Sequence, residues 1–155
     1  MTEFAILFRH GIAFPKGSMP EETRGLTKEG HAKMKEIARG LHRIRPHVDV
    51  IYSSPLLRCL ETAQYLSKRY DLGFTVAEAL RPDASPRELS KLLDATSGRI
   101  VVCVGHEPTL SKMMLHLTKM KGSIELKKGG CYGVRFAGKI ARLEWMLSPR
   151  VMRHS

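Results

Sequence analysis

The sequence is poor in cysteine, and it lacks long apolar runs and a recognisable leader. The three cysteines, Cys59, Cys103 and Cys131, are odd in number and widely spaced, which suits neither a disulfide framework nor a CxxC metal site. No apolar run reaches the ~18 residues that a membrane-spanning helix requires. The opening MTEFAILFRH lacks both the basic segment and the cleavage site of a secretory signal. We therefore expect free, buried thiols in a cytoplasmic protein that does not enter a membrane.

Acidic and aromatic residues are also scarce. Lys and Arg total 26 against 15 Asp and Glu, which gives a formal net charge of +11. Such an excess attracts nucleic acids, acidic protein surfaces or phosphorylated substrates. The basic residues are dispersed, and with aromatics at only 6% few side chains could stack on nucleic acid bases. The composition thus disfavours a nucleic-acid-binding role, and a basic surface without a dedicated ligand explains most of the charge.

The order of the hydrophobic patterns predicts a three-layer α/β/α domain over residues 1–155. Short apolar runs that end in polar residues, such as FAILF and RIVVCVGH, alternate with amphipathic helical patterns. Thr27 is predicted to cap the first helix, and Ser54, followed by Pro55, the second. The closing CYGVRFAGKIARLEWML predicts a hairpin that turns around Ala137-Gly138-Lys139, with no turn type indicated by the residues. We expect a mostly parallel central sheet with an antiparallel C-terminal hairpin at its edge.

Three predicted strand ends carry guanidinium or imidazole side chains. Arg9 and His10 follow the first strand, Arg58 lies early in the helix after the second, and His106 ends the fourth. Ligands of open α/β sheets bind outside the C-terminal ends of the strands, so these side chains should meet at one rim. Arg binds phosphate oxygens bidentately, and the helix that starts near Pro108 would add the positive end of its dipole. The sequence therefore predicts a phosphoryl-binding site.

His10 is the predicted nucleophile of this site. A neutral imidazole can attack phosphorus through Nε2 if its Nδ1–H is held by a carbonyl, and the backbone of Gly11 is a candidate acceptor. The two arginines and a protonated His106 would neutralise the transferring group. A metal site on His10 and His106 lacks carboxylate or thiolate partners, so neither a metal nor another cofactor is expected.

Taken together, these motifs resemble the histidine phosphatase superfamily. RHG at 9–11, SSPLLR at 53–58 with ETA at 61–63, and VGH at 104–106 follow the family's order, and the resemblance runs from Phe4 to about Pro149. RGLTxxG at 24–30 and WxLxP at 145–149 look like the SixA-type phosphohistidine phosphatases. By this resemblance His10 would be the nucleophile, Arg9 and Arg58 would bind phosphate, and His106 would complete the pocket.

One part of the larger family members has no match here. Those members, such as phosphoglycerate mutases, carry a carboxylate that protonates an alcohol leaving group. Glu78, the candidate general acid, and Asp83 are nearest by position, and neither lies in a matching motif. Phosphohistidine expels an imidazole, which is far less basic than an alkoxide and needs a dedicated acid less. This difference favours a phosphohistidine-bearing protein as the substrate.

Two other functions stay open at this point. A small-molecule phosphomonoesterase or mutase could use the same scaffold, and a non-catalytic basic module could bind phosphate groups on protein or nucleic acid. Such a module would keep Arg9 and Arg58 but would have no need of His10. Arg24 could line the mouth of the pocket or pair with the glutamates at 21 and 22. The leading hypothesis is a metal-independent phosphatase that works through a phosphorylated His10.

Overall fold

The computed structural model describes residues 1–155 and contains a single six-stranded sheet. The strands are β1 (Phe4–Arg9), β2 (Val50–Ser53), β3 (Thr75–Val76), β4 (Ile100–Gly105), β5 (Cys131–Ala137) and β6 (Ile140–Leu147). Their order across the sheet is β3-β2-β4-β1-β5-β6. The first four in that order are parallel, whereas β5 is antiparallel to both β1 and β6. The predicted mixture of parallel sheet and antiparallel C-terminal edge is confirmed.

Five α-helices cover the sheet. They are α1 (Lys28–Ile44), α2 (Leu57–Tyr70), α3 (Pro86–Ala95), α4 (Thr109–Thr118) and α5 (Pro149–Arg153), with 3-10 turns at Glu21–Thr23 and Glu78–Leu80. Thr27 caps α1 as predicted, because its Oγ1 accepts the Gly30 N–H at 3.0 Å. None of the helices has the length and apolarity needed to cross a bilayer.

The hydrophobic core lies in two layers, one on each face of the sheet. On β1, the alternate residues Phe4, Ile6 and Phe8 pack in a cluster with residues of α1 and α2. The intervening Ala5 and Leu7 pack in a second cluster with residues of α3 and α4. This period of two is the pleat of a strand that is buried on both sides. The predicted three-layer α/β/α architecture is therefore confirmed.

The second helix begins later than the sequence predicts. Ser54 and Pro55 were expected to cap and start it, but α2 begins at Leu57, with Leu56 as the N-cap. The Ser54 Oγ lies 2.7 Å from Nε2 of His106 instead, and it accepts the Leu56 N–H at 3.3 Å. A buried imidazole from the neighbouring strand end thus uses the hydroxyl that the local pattern assigned to a helix cap.

The C-terminal hairpin forms where it was predicted. β5 and β6 are joined by the two residues Gly138 and Lys139. Gly138 has φ of +63°, a left-handed conformation that glycine adopts without steric cost and that short hairpin turns require.

The three cysteines are free and buried, as expected.

Candidate active site

A cavity of about 640 Å³ lies at the C-terminal ends of the parallel strands. Arg9, His10, Arg58 and His106 all line it. Arg9 and Gly105 are register partners on the adjacent strands β1 and β4, so the two histidines leave the sheet side by side. Their rings meet edge to face with centroids 5.5 Å apart. The structure brings together the four side chains that the sequence assigns to one site.

His10 is held in the tautomer that a nucleophile needs. Its Nδ1 lies 2.7 Å from the backbone oxygen of Gly11. Because a carbonyl only accepts, Nδ1 carries the proton and Nε2 keeps its lone pair. Burial lowers the pKa of His10 to about 3, helped by the charges of the nearby arginines and opposed by the bond to Gly11. The imidazole is therefore neutral at physiological pH.

The chain just after His10 is fixed to the helix that carries Arg58. The Gly11 N–H donates to Oγ1 of Thr62 at 3.0 Å, and this hydroxyl donates to the Arg58 backbone oxygen at 2.7 Å. Thr62 is fully buried. A Cβ on residue 11 would lie 2.8 Å from Cγ of Met34, so glycine is needed for this approach to α1. Thr62 is a positioning residue that the sequence placed in a motif without assigning it a role.

Arg9 and Arg58 have hydrogen-bonding capacity that the protein does not satisfy. Within residues 1–155, three buried side-chain polar atoms have no hydrogen-bond partner, and two of them are Nε of Arg9 and Nε of Arg58. Buried donors are normally paired. Oxygens of a bound phosphoryl group would supply the missing acceptors, and their geometry matches the guanidinium fork.

His106 is neutral in this structure, contrary to the expectation of a protonated ring. Burial, followed by the neighbouring His10 and the arginine charges, lowers the pKa of His106 to about 2. The Ser54 hydroxyl already accepts the Leu56 N–H, so its own hydrogen is available for Nε2 of His106. The hydroxyl oxygen also has a second lone pair, so Ser54 can either donate to Nε2 of His106 or accept a hydrogen from it. In either case His106 lines the cavity as a neutral ring rather than as a positive charge.

Comparison with known proteins identifies the family. The family model described as histidine phosphatase superfamily (branch 1) matches residues 5–82. The chain belongs to this superfamily. An uncharacterized protein of Picosynechococcus sp. is 32% identical over 136 residues, which cover 83% of this chain and 82% of that protein. Membership in the superfamily supports phosphatase activity.

Solved structures of several phosphatases share the fold. The protein histidine phosphatase SixA complexed with tungstate has a TM-score of 0.86 at 20% identity, covering 95% of this chain and 97% of that chain. A mutant phosphoserine phosphatase from Entamoeba histolytica in complex with phosphoserine has a TM-score of 0.76 at 20% identity, covering 97% and 99%. The mycobacterial glucosyl-3-phosphoglycerate phosphatase has a TM-score of 0.78 at 18% identity, covering 95% and 100%. At these identities the likeness establishes the SixA-like fold and not the substrate.

Arg24 satisfies both alternatives that the sequence left open for it. It lines the active-site cavity of the phosphatase and also pairs with Glu21, whose Oε2 lies 3.1 Å from Nη2 of Arg24 and 3.2 Å from Nη1 of Arg58. Partial desolvation of Glu21 opposes ionisation, but its hydrogen bond to Arg24 and the charges of both arginines hold the pKa of the carboxyl below its usual value. The Glu21 carboxylate thus places a negative charge of the chain itself between the guanidinium groups of Arg24 and Arg58.

The structure does not bring the proposed acid Glu78 into the cavity. Its side chain is 74% exposed and pairs with Arg81 at 3.3 Å, in the 3-10 turn after β3. Asp83 does line the cavity. The difference arises because the turn directs Glu78 to solvent, and the chain reaches the cavity only at residues 81–83.

Glu107 also lines the cavity, although no motif in the sequence singles it out. One carboxylate oxygen accepts the Ser111 N–H at 2.8 Å, and the other accepts the Leu126 N–H at 2.7 Å and the Ser111 hydroxyl. These bonds fasten the first turn of α4 to the chain before β5. The position of Glu107 directly after His106 is the sequence signal that could have identified it.

No group of three or more His, Cys, Asp or Glu side chains in residues 1–155 is arranged to hold a metal ion.

The two neutral histidines predict that the phosphatase loses stability in weak acid. The pKa values of His10 and His106 are about 3 and about 2 in the folded protein, against ~6.5 in an unfolded chain. Below pH 6.5 the unfolded chain therefore binds protons that the folded protein does not, and the free energy of unfolding falls as pH decreases toward 3. Between pH 7 and pH 5 the loss should be roughly 1–2 kcal/mol per histidine, measured by urea unfolding.

A double variant provides the control for this measurement. His10→Asn with His106→Asn removes both titrating rings and leaves every other ionisable group in place. Its free energy of unfolding should change less between pH 7 and pH 5 than that of the wild type. Equal changes in the two proteins would show that these imidazoles do not have lowered pKa values.

Proposed function

We propose that this phosphatase hydrolyses phosphohistidine on a protein through a covalent intermediate on His10. The observation that carries the proposal is the 2.7 Å bond between Nδ1 of His10 and the Gly11 carbonyl. It leaves Nε2 with a lone pair on a ring that lines the cavity. A module that only bound phosphate would need the arginines but would have no use for this tautomer.

The first step transfers the phosphoryl group to His10. Nε2 attacks phosphorus, and the P–N bond to the substrate's imidazole breaks with its electron pair remaining on the leaving nitrogen. The substrate ring takes a proton from water on its other nitrogen, so it departs as neutral imidazole. Phosphorylated His10 keeps its Nδ1–H and becomes a cationic ring, which is itself a good leaving group.

The second step regenerates the enzyme. A water oxygen attacks the phosphorus of phosphorylated His10, and the P–N bond breaks with its electron pair returning to Nε2. The attacking water loses its proton to solvent, and inorganic phosphate leaves. His10 thereby returns to the neutral Nδ1–H tautomer in which it began.

Arg9, Arg58 and His106 are proposed to stabilise the transferring group in both steps. Phosphoryl transfer asks a protein mainly for positioning and for neutralisation of the equatorial oxygens. The unpaired Nε donors of Arg9 and Arg58 are available for those oxygens, and the ring of His106 lines the same cavity. Two permanent charges and these N–H groups suit a reaction that uses no metal ion.

The carboxylates around the cavity support an imidazole leaving group over an alcohol. Glu107 accepts three hydrogen bonds, and Glu21 pairs with two arginines. Glu78 lies outside the cavity and pairs with Arg81. Asp83 is the one lining carboxylate without an ion pair or a side-chain hydrogen bond to another residue. A phosphoramidate would not depend on it, whereas an alkyl phosphate would.

A substrate panel tests this proposal. Phosphohistidine and aryl phosphates with acidic phenols should exceed phosphoserine and sugar phosphates in kcat/KM by about 10²-fold or more, which is the usual contribution of a general acid to the departure of a poor leaving group. Asp83→Asn should reduce turnover of phosphohistidine by less than about threefold, because no essential proton comes from it. Glu78→Gln removes the candidate acid that lies outside the cavity and should cost equally little.

Two results would contradict the assignment. One is a loss of 10²-fold or more on every substrate in Asp83→Asn or Glu78→Gln. The other is turnover of alkyl phosphates at the rate of phosphohistidine. Either result would make the chain a small phosphomonoesterase of the same superfamily, and in the first case the substituted carboxylate would be its acid.

The proposal also includes a cytoplasmic location and one domain that spans residues 1–155. Free, buried cysteines suit a reducing compartment. The sheet joins strands from both halves of the chain, since β1 lies between β4 and β5. Both statements can be tested together by cell fractionation and by a single cooperative unfolding transition of the full chain.

A further inference from the structure

A second cavity, of about 260 Å³, lies beside the backbone of the nucleophile. Gly11 and Ile12 line it, directly after His10, which lines the active-site cavity. No Asp or Glu lines this second cavity, whereas five permanent cations do: Lys33 of α1, Lys127 and Lys128 before β5, and Arg150 and Arg153 of α5. We refer to these five residues and the space between them as the basic groove.

The basic groove joins the active site through Lys128, which lines both cavities. The position of Lys128 is set by the next residue, because the Gly129 N–H lies 3.1 Å from the Arg9 oxygen and 3.0 Å from the His10 oxygen. The backbone that carries Lys128 is therefore bonded to the backbone that carries the nucleophile. A protein substrate that continued from the active site on the side of Lys128 would therefore lie against the basic groove.

Most of the charge in the basic groove is uncompensated. Lys33 pairs with a glutamate at 2.8 Å, and Arg153 pairs with another at 3.1 Å. Lys127, Lys128 and Arg150 form no ion pair in the chain, and all three are exposed. Adjacent like charges that are not neutralised internally create a potential that attracts an anionic partner.

The other residues of the groove indicate what kind of anion fits. Of its hydrophobic lining residues, Met34 and Ile37 are almost fully buried, and only Ile12 is partly exposed. No Phe, Tyr or Trp lines the groove, and His154 is its single aromatic ring, so it offers little stacking platform for nucleic acid bases. A cationic rim with little aromatic surface favours an acidic polypeptide over an oligonucleotide.

We propose that the basic groove binds an acidic segment of the phosphorylated protein, next to the phosphohistidine that enters the active site. The inference rests on the proposed function, since it requires a substrate that continues beyond its phosphoryl group. Rim charges of this kind mainly affect association and specificity rather than the chemical step. The groove should therefore distinguish protein substrates without changing the turnover of small ones.

Two matched variants test the proposal. The groove variant combines Lys127→Glu with Arg150→Glu. The control variant combines Lys91→Glu with Lys139→Glu, two exposed residues that line neither cavity and give the same change in net charge. The substrates are two phosphohistidine peptides of equal length, one with Asp and Glu around the phosphohistidine and one with Asn and Gln. An aryl phosphate serves as the small substrate.

Wild type and control variant should prefer the acidic peptide in kcat/KM by about tenfold at low ionic strength, since several exposed ion pairs of modest strength act together. The groove variant should lose that preference and should hydrolyse the aryl phosphate like the wild type. The proposal is wrong if the groove variant keeps the preference, or if the control variant loses it to the same extent.

A binding measurement separates failure of the groove from failure of the proposed function. If wild type cleaves the aryl phosphate but neither peptide, the phosphohistidine assignment fails. The groove is then judged by fluorescence anisotropy of the unphosphorylated acidic peptide: binding that the groove variant loses and the control variant keeps supports docking, and absence of binding overturns it. Stronger groove-dependent binding of a single-stranded oligonucleotide than of this peptide also overturns it, in favour of nucleic acid.

Discussion

His10→Ala should lower kcat by at least about 10⁴-fold while the protein remains folded. Covalent transfer requires Nε2 of the imidazole, and loss of a nucleophile typically removes almost all of the catalysis that the site provides. The side chain makes one hydrogen bond, to the Gly11 oxygen, so its removal should leave the sheet intact. The measurement is kcat on an aryl phosphate and on a phosphohistidine peptide, with circular dichroism and urea unfolding as checks on the fold.

Trapping the phosphorylated intermediate tests whether His10 is the nucleophile without relying on a rate measurement. Wild type quenched during turnover of a labelled substrate should carry label that is stable to alkali and lost in acid, as expected for a phosphorylated imidazole. His10→Ala should carry none, whereas His116→Ala, a histidine of α4 that does not line the cavity, should behave like the wild type. Retention of more than about a hundredth of wild-type activity by folded His10→Ala would show that another group is the nucleophile.

The residues at the ends of β1 and β4 could be predicted because their signals are local. FAILF and RIVVCVG are apolar runs buried on both sides of the sheet, and the first polar residues after them have to lie at its rim. That rule predicts that His10 and His106 lie at the rim of the sheet. Arg58 follows from the short connection between β2 and α2, even though the helix begins later than predicted.

The remaining parts of the site depend on contacts that no local pattern contains. Ser54 has the chemistry of a helix cap, yet its hydroxyl is bonded to His106, 52 residues further along the chain. Lys128 reaches the cavity because Gly129 is bonded to the backbone of Arg9 and His10. Glu78 was the nearest carboxylate by position, but the turn that contains it faces solvent. In each case tertiary packing, rather than residue type, decides where the side chain lies.

The charge state of His106 shows how burial changes the interpretation of a correctly placed residue. The sequence correctly places an imidazole beside two arginines and suggests a cation. In the fold, the ring is 3% exposed and lies against a second imidazole. A third positive group cannot be accommodated there cheaply without an anion. The permanent positive charges that line the cavity and flank the histidines are therefore those of the arginines, so their removal should be a damaging change.

Arg58→Ala should lower kcat by about 10²–10³-fold, the usual effect of removing one donor to a developing oxyanion. The Arg58 side chain is 6% exposed, and its Nε has no partner in the protein, so this donor is available to the transferring group although Nη1 is bonded to Glu21. Because that group is bound most strongly in the transition state, kcat should fall more than KM rises. Arg58→Lys should recover only part of the loss, since it keeps a charge but lacks the fork.

The fall in kcat caused by losing the Arg58 guanidinium has to be separated from any fall caused by rearrangement of the side chains around it. Arg58 also pairs with Glu21 through Oε2 and through the backbone oxygen, so its removal frees one end of that glutamate. Glu21→Gln is the matched control: it weakens the same pairing but leaves both guanidinium groups in place, and kcat should stay within a few fold of wild type. Competition by vanadate should weaken in Arg58→Ala and persist in Glu21→Gln. If Arg58→Ala raised KM and left kcat unchanged, Arg58 would bind substrate and transition state equally, and Arg9 would be the arginine that accelerates transfer.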